Sequence, residues 1–246
     1  MPRLFYDLHL HSCLSPCGDE DMTPNNIVNM AILLGYDILA LTDHNSCLNT
    51  PAAVEAGKRA GLTVVPGMEL CVEEEAHVVC LFPTVQDAME FHAFVAARSV
   101  NMKNDNQIFG RQVIMDAQDC IIGEEPNLLI SSAQISVNEV MSAVQRYHGT
   151  AFPAHVDKNS YSIIASLGVI PPEAGFSAAE ISRNGNVQRL CKINPELNDK
   201  ILLCNSDAHY LENMPEPAAW LDLPEKSPEC LVAALNGEIN IIWSRG

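Results

Sequence analysis

Short apolar runs rich in Val, Ile and Leu alternate along this chain with helical stretches whose starts and stops are written in side-chain chemistry. Thr23-Pro24, Thr50-Pro51 and Ser227-Pro228 each offer an N-cap acceptor followed by proline at the first helical position, where a missing N–H costs nothing. Ser136 with Glu139 fits a capping box, and Gly35, Gly61, Gly149 and Gly237 fall where helices should end. The strands expected between them are Leu4 to Leu10, Ile38 to Thr42, Leu62 to Pro66, His77 to Phe82, Thr150 to Ala154, Ala179 to Ser182, Ile201 to Asn205 and Ile239 to Trp243. A recurring unit of strand, cap, helix and glycine predicts an α/β fold around a mostly parallel sheet.

The 246 residues suffice for one such domain, residues 1–246, with a core of its own. The pattern weakens between about 85 and 134, which reads as an inserted, partly helical lid or subdomain. A formal net charge of −17 argues against an extended grip on nucleic acid or an anionic membrane, because counterion release needs clustered Lys and Arg. Bound divalent cations would reverse that field locally and admit a small anion. The nine cysteines are scattered and form no CxxC pair, which suits a reducing cytoplasm better than a disulfide or zinc-ribbon framework. Met1 to Tyr6 lacks the apolar core of a signal peptide, and no apolar run reaches the length of a membrane span.

Chemistry gathers at strand ends. Asp7-Leu8-His9-Leu10-His11, Thr42-Asp43-His44, Gly67-Met68-Glu69, Pro153-Ala154-His155 and Ser206-Asp207-Ala208-His209 each place a His, Asp or Glu at or just past the C-terminal end of an expected strand. His77 opens another strand. Ligands of parallel α/β folds bind at that end of the sheet. Alternate residues of a strand share a face, so His9 and His11 can chelate one centre, as can Asp207 and His209. Any one of these histidines alone would read as a packed residue. Six of the eight histidines in such positions, with Glu69 and Asp207 among them, read instead as a metal cluster of zinc, manganese or iron. His92 and His148 sit in helical patterns and are expected to be structural.

The order HxH, TDH, a Glu after Pro-Gly, a His opening the next strand, PAH and SDAH resembles the PHP family, named for polymerase and histidinol phosphatase. The resemblance runs from His9 to His209. It implies a distorted (β/α)7 TIM-like barrel carrying two or three divalent ions, zinc, manganese or iron. His9, His11, Glu69 and Asp207 would hold one ion, Glu69 with His77 and His155 a second, and His44 with His209 a third. The third needs one more ligand, from the loop after His11, and here the chain departs from the family pattern. Counted forward from His9, the family's histidine position falls on Cys17. Counted back from Thr23-Pro24, its aspartate position falls on Asp19, and Asp19 is the expected ligand with Cys17 the alternative thiolate.

Around the cluster, Asp43 can orient an imidazole, move a proton or serve as a turn cap. Arg183 and Lys158 are candidates to grip a substrate phosphate. The function expected is hydrolysis of a phosphate ester by metal-bound hydroxide, on a nucleotide, nucleoside bisphosphate or other small phosphorylated metabolite. The alternatives are histidinol-phosphate phosphatase, an exonuclease acting on short nucleic acid ends, or a metal-bound regulatory domain whose chemistry has decayed. The sequence is silent on oligomeric state.

Overall fold

The computed structural model describes residues 2–246. Met1, where both the N-terminal reading and the expected domain begin, lies outside the described residues. Among them the strands are β1 (Arg3–Asp7), β2 (Ile38–Leu41), β3 (Thr63–Cys71), β4 (His77–Leu81), β5 (Val113–Met115), β6 (Ile121–Glu124), β7 (Thr150–Pro153), β8 (Ala178–Glu180), β9 (Ile201–Leu203), β10 (Trp220–Asp222) and β11 (Trp243–Ser244). The helices are α1 (Pro24–Leu34), α2 (Thr50–Ala60), α3 (Val85–Ala96), α4 (Asn106–Phe109), α5 (Val137–Gln145), α6 (Ile163–Leu167), α7 (Val187–Ile193) and α8 (Pro228–Leu235).

Seven strands form one curled sheet in the order β11-β10-β1-β2-β3-β4-β7, and β8 pairs with β9 beside it. The gaps close through single backbone bonds. Val156 donates to the Glu180 carbonyl at 2.9 Å, joining the end of β7 to β8, while Asp207 donates to the His9 carbonyl at 2.9 Å and His11 to that of Ala208 at 2.9 Å. The result is a distorted TIM-like barrel whose chain ends and chain middle meet at one rim.

Burial follows the period of two. On β2, Ile38 and Ala40 join Leu4, Tyr6, Leu8, Val65, Val79 and Phe152 in one apolar cluster, while Leu39 and Leu41 face Ile27, Val28 and Ala31 of α1 and Ala53 and Ala56 of α2. All four β2 residues are buried, as expected of a strand covered on both faces. Helix α3 adds Ala88, Phe91 and Val95 to a further cluster with Val140 and Val144 of α5. The first helix of the 85–134 stretch is therefore part of the wall. The β5–β6 hairpin lies against the first loop, where Val113 donates to the Cys13 carbonyl at 3.0 Å.

Several expectations need correction. The sheet is mixed: β1, β2 and β3 run parallel, but β4 is antiparallel to both β3 and β7. A turn through Glu73 to Glu75, with Glu75 in the left-handed region at φ 56°, joins β3 to β4 and is far too short for a parallel crossover. Thr23 and Ser227 cap as expected, accepting from Asn26 and Cys230 at 3.2 Å each. Thr50 lies inside α2, and Asn49 stands at its N-cap with a side chain spent elsewhere, on Met115 at 2.8 Å and Val113 at 3.0 Å. Ser136 and Glu139 form the expected capping box, Glu139 accepting from the Ser136 amide at 3.2 Å, and the Ser136 hydroxyl also donates to Glu74 at 2.7 Å. After α5 it is His148 that turns left-handed, at φ 58°. Gly149 is glycine for another reason: a Cβ there would sit 2.6 Å from the Leu81 carbonyl oxygen. The expected last strand shortens to β11, and β5, β6 and β10, each only three or four residues long, were not anticipated.

Candidate metal centre

Just past β1, Leu8 and Leu10 are buried in two different apolar clusters, and His9 and His11 both turn toward Glu69 at the barrel rim, fully buried. Glu69 is the hub of what they meet. Its Oε1 lies 3.0 Å from His9 Nε2, 2.9 Å from His77 Nδ1 and 3.3 Å from His155 Nε2. Its Oε2 lies 2.9 Å from His44 Nδ1 and 3.4 Å from His11 Nε2. The parallel bridge between His44 and Glu69 sets that second contact. Asp207 completes the ring, with Oδ1 at 3.4 Å from His9 Nε2, 3.3 Å from His11 Nε2 and 3.8 Å from His209 Nδ1.

The donor atoms fit divalent metal better than they fit one another. His44 Nδ1 and Glu69 Oε2 are buried and close, yet neither makes a hydrogen bond, and His155 Nδ1 is equally unpartnered. Orphaned buried polar atoms are costly, and a shared cation would satisfy them. Three overlapping groups place one donor atom per residue within 4.8 Å of each other: His9, His11 and Glu69; His44, Glu69 and His77; and His11, His44 and His209. His155 and Asp207 hold left-handed backbone at φ 29° and 53°, a conformation non-glycine residues adopt at a cost. The surrounding fold thus aims both side chains inward against local preference.

Protonation responds to the crowding. Burial works to strip His9 of its proton, but Glu180, Glu69 and Asp207 outweigh it and hold the imidazolium well above its ordinary range. His11 goes well below its ordinary value through burial and the neighbouring His209 and His44. Burial opposes ionisation of Glu69, yet His77, His9 and His44 keep it well below the carboxylate range.

His9 and His11 are fixed from behind. Glu180 accepts from His9 Nδ1 at 2.9 Å, takes the Asn205 amide at 2.7 Å and receives the His155 backbone N–H at 3.0 Å. Sequence reading passed over Glu180. The one available signal was a carboxylate inside the apolar strand Ala178–Glu180. Asp43 lies under the loop, not on the cavity wall, accepting from the Ser12 amide, the Ser12 hydroxyl and the Ser15 hydroxyl at 2.7 Å each. Ser15 Oγ is in turn 3.0 Å from His11 Nδ1, so Asp43 positions His11 through a serine.

The rings open onto a cavity of about 270 Å³ lined by His44, Glu69, His77, His155, Asp207 and His209 together with Cys17, Ile130, Lys158, Ser160 and Tyr161. Lys158 is the one Lys or Arg on this wall among the described residues, its Nζ 2.5 Å from Asp207 Oδ2. Arg183 lines a separate small cavity with Tyr6, Asp7, Tyr36 and Arg245, because the turn after β8 carries it away from the rim. Asp19 is half-buried, its Oδ1 accepting from the Asp21 amide at 2.9 Å, and it is absent from the cavity wall. His92 accepts from the Cys47 amide at 3.4 Å and His148 pairs with Asp87 at 2.8 Å, both away from the cluster. No helix among the described residues is long and apolar enough to cross a membrane.

Comparison with known proteins agrees with this geometry. A PHP domain profile matches residues 7–243. The 5'-3' exoribonuclease Rnm of Salmonella typhimurium is 36% identical over 78 residues, 31% of this chain and 26% of that protein. The matched stretch therefore spans about a quarter of that relative. In structure, the lesion-specific endonuclease PfuEndoQ of Pyrococcus furiosus superposes with a TM-score of 0.72 at 16% identity, covering 98% of this chain and 58% of its own. An amidohydrolase from Chromobacterium violaceum with bound sulfate superposes with a TM-score of 0.60 at 19% identity, covering 96% of this chain and 97% of its own.

Proposed function

The chain belongs to the PHP domain family, and on that premise we propose that it is a metal-dependent phosphoesterase acting on one phosphorylated nucleotide unit, free or at the end of a short nucleic acid. The observation that carries this reading is the convergence of five imidazoles on the two oxygens of buried Glu69, with donor atoms left unpartnered. His9, His11, Glu69 and Asp207, with His77, His155, His44 and His209, would hold the ions. Divalent ions in such a site activate water and neutralise charge on the phosphoryl group.

The remaining work falls to this chain's own residues. Glu180 and Ser15 hold His9 and His11 in orientation, and Lys158, half-exposed beside Asp207, stands where it can take a phosphoryl oxygen. Tyr161 stacks on His77 with ring centroids 4.9 Å apart and is 52% exposed, which leaves an aromatic surface for a base at the mouth. The cavity of about 270 Å³ lies near the lower end of ligand pockets, and a single wall lysine in a chain of net charge −17 suits a short ligand over a long duplex. Relatives named as an exoribonuclease and a lesion-specific endonuclease favour a nucleotide-bearing substrate over histidinol phosphate.

The test is hydrolysis of nucleoside mono-, bis- and cyclic phosphates, 5'-phosphorylated oligonucleotides of graded length, and histidinol phosphate, with manganese, zinc or iron supplied. Turnover concentrated on nucleotides and short oligonucleotides supports the reading. Turnover only on non-nucleotide esters, or none with two or three ions bound, rejects it.

A further inference from the structure

The loop between the first motif and α1 is tightly folded. Ser15 donates to the Ser12 carbonyl at 3.1 Å, Gly18 to that of Ser15 at 2.8 Å, and Cys13 to that of Met22 at 2.9 Å. Ser12, Leu14 and Ser15 are fully buried. Gly18 packs so closely on the Ser12 carbonyl that no side chain fits there, which fixes the backbone on either side of it. One residue before Gly18 the chain presents Cys17 to the cavity, and one residue after it Asp19 docks its amide on the His209 carbonyl at 2.9 Å and turns its carboxylate onto Asp21.

Across from Cys17 stand His44 and His209, which share their carboxylate neighbours, Glu69 and Asp207, with the other imidazoles of the cluster. His11, His44 and His209 each bring a donor atom within 4.8 Å of the others, with ring centroids 4.5 Å apart for His11 and His44 and 4.1 Å for His11 and His209. His44 is only 7% exposed, and its Nδ1, 2.9 Å from Glu69 Oε2, makes no hydrogen bond, so this imidazole is built into the cluster as a donor without a protein partner. Cys17 lines the same cavity wall as His44 and His209, and Asp19 does not.

We propose that Cys17, and not Asp19, is the loop ligand of a metal position formed with His44 and His209. The inference rests on the metal-dependent reading above. Binding forms a sulfur–metal bond and releases the thiol proton to solvent, with no change of oxidation state. Two neutral imidazoles leave a dication uncompensated; a thiolate supplies an anion. A soft donor there selects zinc, iron or cobalt over magnesium or calcium at this one position.

Cobalt(II) provides the probe, since thiolate ligation produces an intense near-ultraviolet sulfur-to-metal band that imidazole and carboxylate do not. Metal-stripped protein titrated with cobalt is expected to develop the band, and Cys17→Ser to lose it. Elemental analysis is expected to show one ion fewer per chain in Cys17→Ala, a full complement in Asp19→Asn, and recovery of the ion without the band in Cys17→Asp, which guards against misfolding. A band that survives Cys17→Ser, or an ion lost from Asp19→Asn and kept by Cys17→Ala, overturns the assignment. Wild-type protein that binds its ions without the band rejects Cys17 alone, whereas wild-type protein that binds no ion rejects the phosphoesterase reading as well.

Discussion

His9 Nδ1 meets Glu180 Oε2 at 2.9 Å, joining two fully buried side chains that lie 171 residues apart in the sequence. The contact commits Nδ1 to Glu180 and leaves Nε2 to face Glu69 and Asp207. A carboxylate behind a ligating imidazole fixes its tautomer and raises its basicity.

Glu180→Gln keeps the shape and removes the charge. We expect metal affinity to fall by roughly 10- to 100-fold with the fold retained. Calorimetric titration with zinc or manganese, beside circular dichroism, checks this, and unchanged affinity would leave Glu180 a purely structural group.

Metal binding should release protons and weaken in acid. His9 is held protonated in the metal-free cluster by Glu180, Glu69 and Asp207, against the pull of burial, and must lose that proton to ligate. A proton released on binding means affinity that rises with pH. His11, kept neutral by burial and its imidazole neighbours, adds little to the release. Calorimetry in buffers of differing ionisation enthalpy counts the protons.

Lys158→Met is expected to raise KM for phosphorylated substrates. One charge-assisted hydrogen bond is worth about 1.5–3 kcal/mol, or about ten-fold and more in kcat/KM. The measurement is steady-state kinetics with metal content matched, because Lys158 also neutralises Asp207.

Tyr161→Ala should weaken nucleotides selectively, by about 1–3 kcal/mol per stacked base, and Tyr161→Phe should preserve them. Equal losses for aromatic and non-aromatic phosphate esters would mean that the ring on His77 only props the cluster.

Gly149→Ala tests the packing between α5 and β7. The new methyl would meet Phe82 and Val144 side chains at 2.7 Å besides the Leu81 carbonyl, an overpacking that costs about 1–3 kcal/mol. A lowered thermal midpoint with unchanged metal content is the expected outcome.

These residues also mark how far the sequence could be read. His9, His11, His44, Glu69, His77, His155, Asp207 and His209 were legible because each lies in or near an expected strand, where local periodicity predicts direction, and the structure brings all eight together, six of them on one cavity wall. Thr23 and Ser227 were legible because a cap is a contact three residues long. Glu180 was not, since its meaning depends on partners at His9 and Asn205 that no spacing reveals. Arg183 misled for the same reason: proximity in sequence to the end of β8 says nothing of which side the turn exits. Strand direction failed at β4 because the apolar run shows a strand without its sense, and only the length of the link to β3 decides it.

The backbone bonds that tie His9 and His11 to Asp207 and Ala208 have a consequence in time. Synthesis proceeds from one end, and the rim is stitched between residues nearly 200 positions apart, so a nascent chain carries His9 and His11 long before Asp207 exists. The pairing that sets Glu69 beside His44, by contrast, joins strands close in sequence, β2 and β3. The donor set is therefore complete only when both ends of this span are present, and the contacts that complete it are also the ones that close the rim.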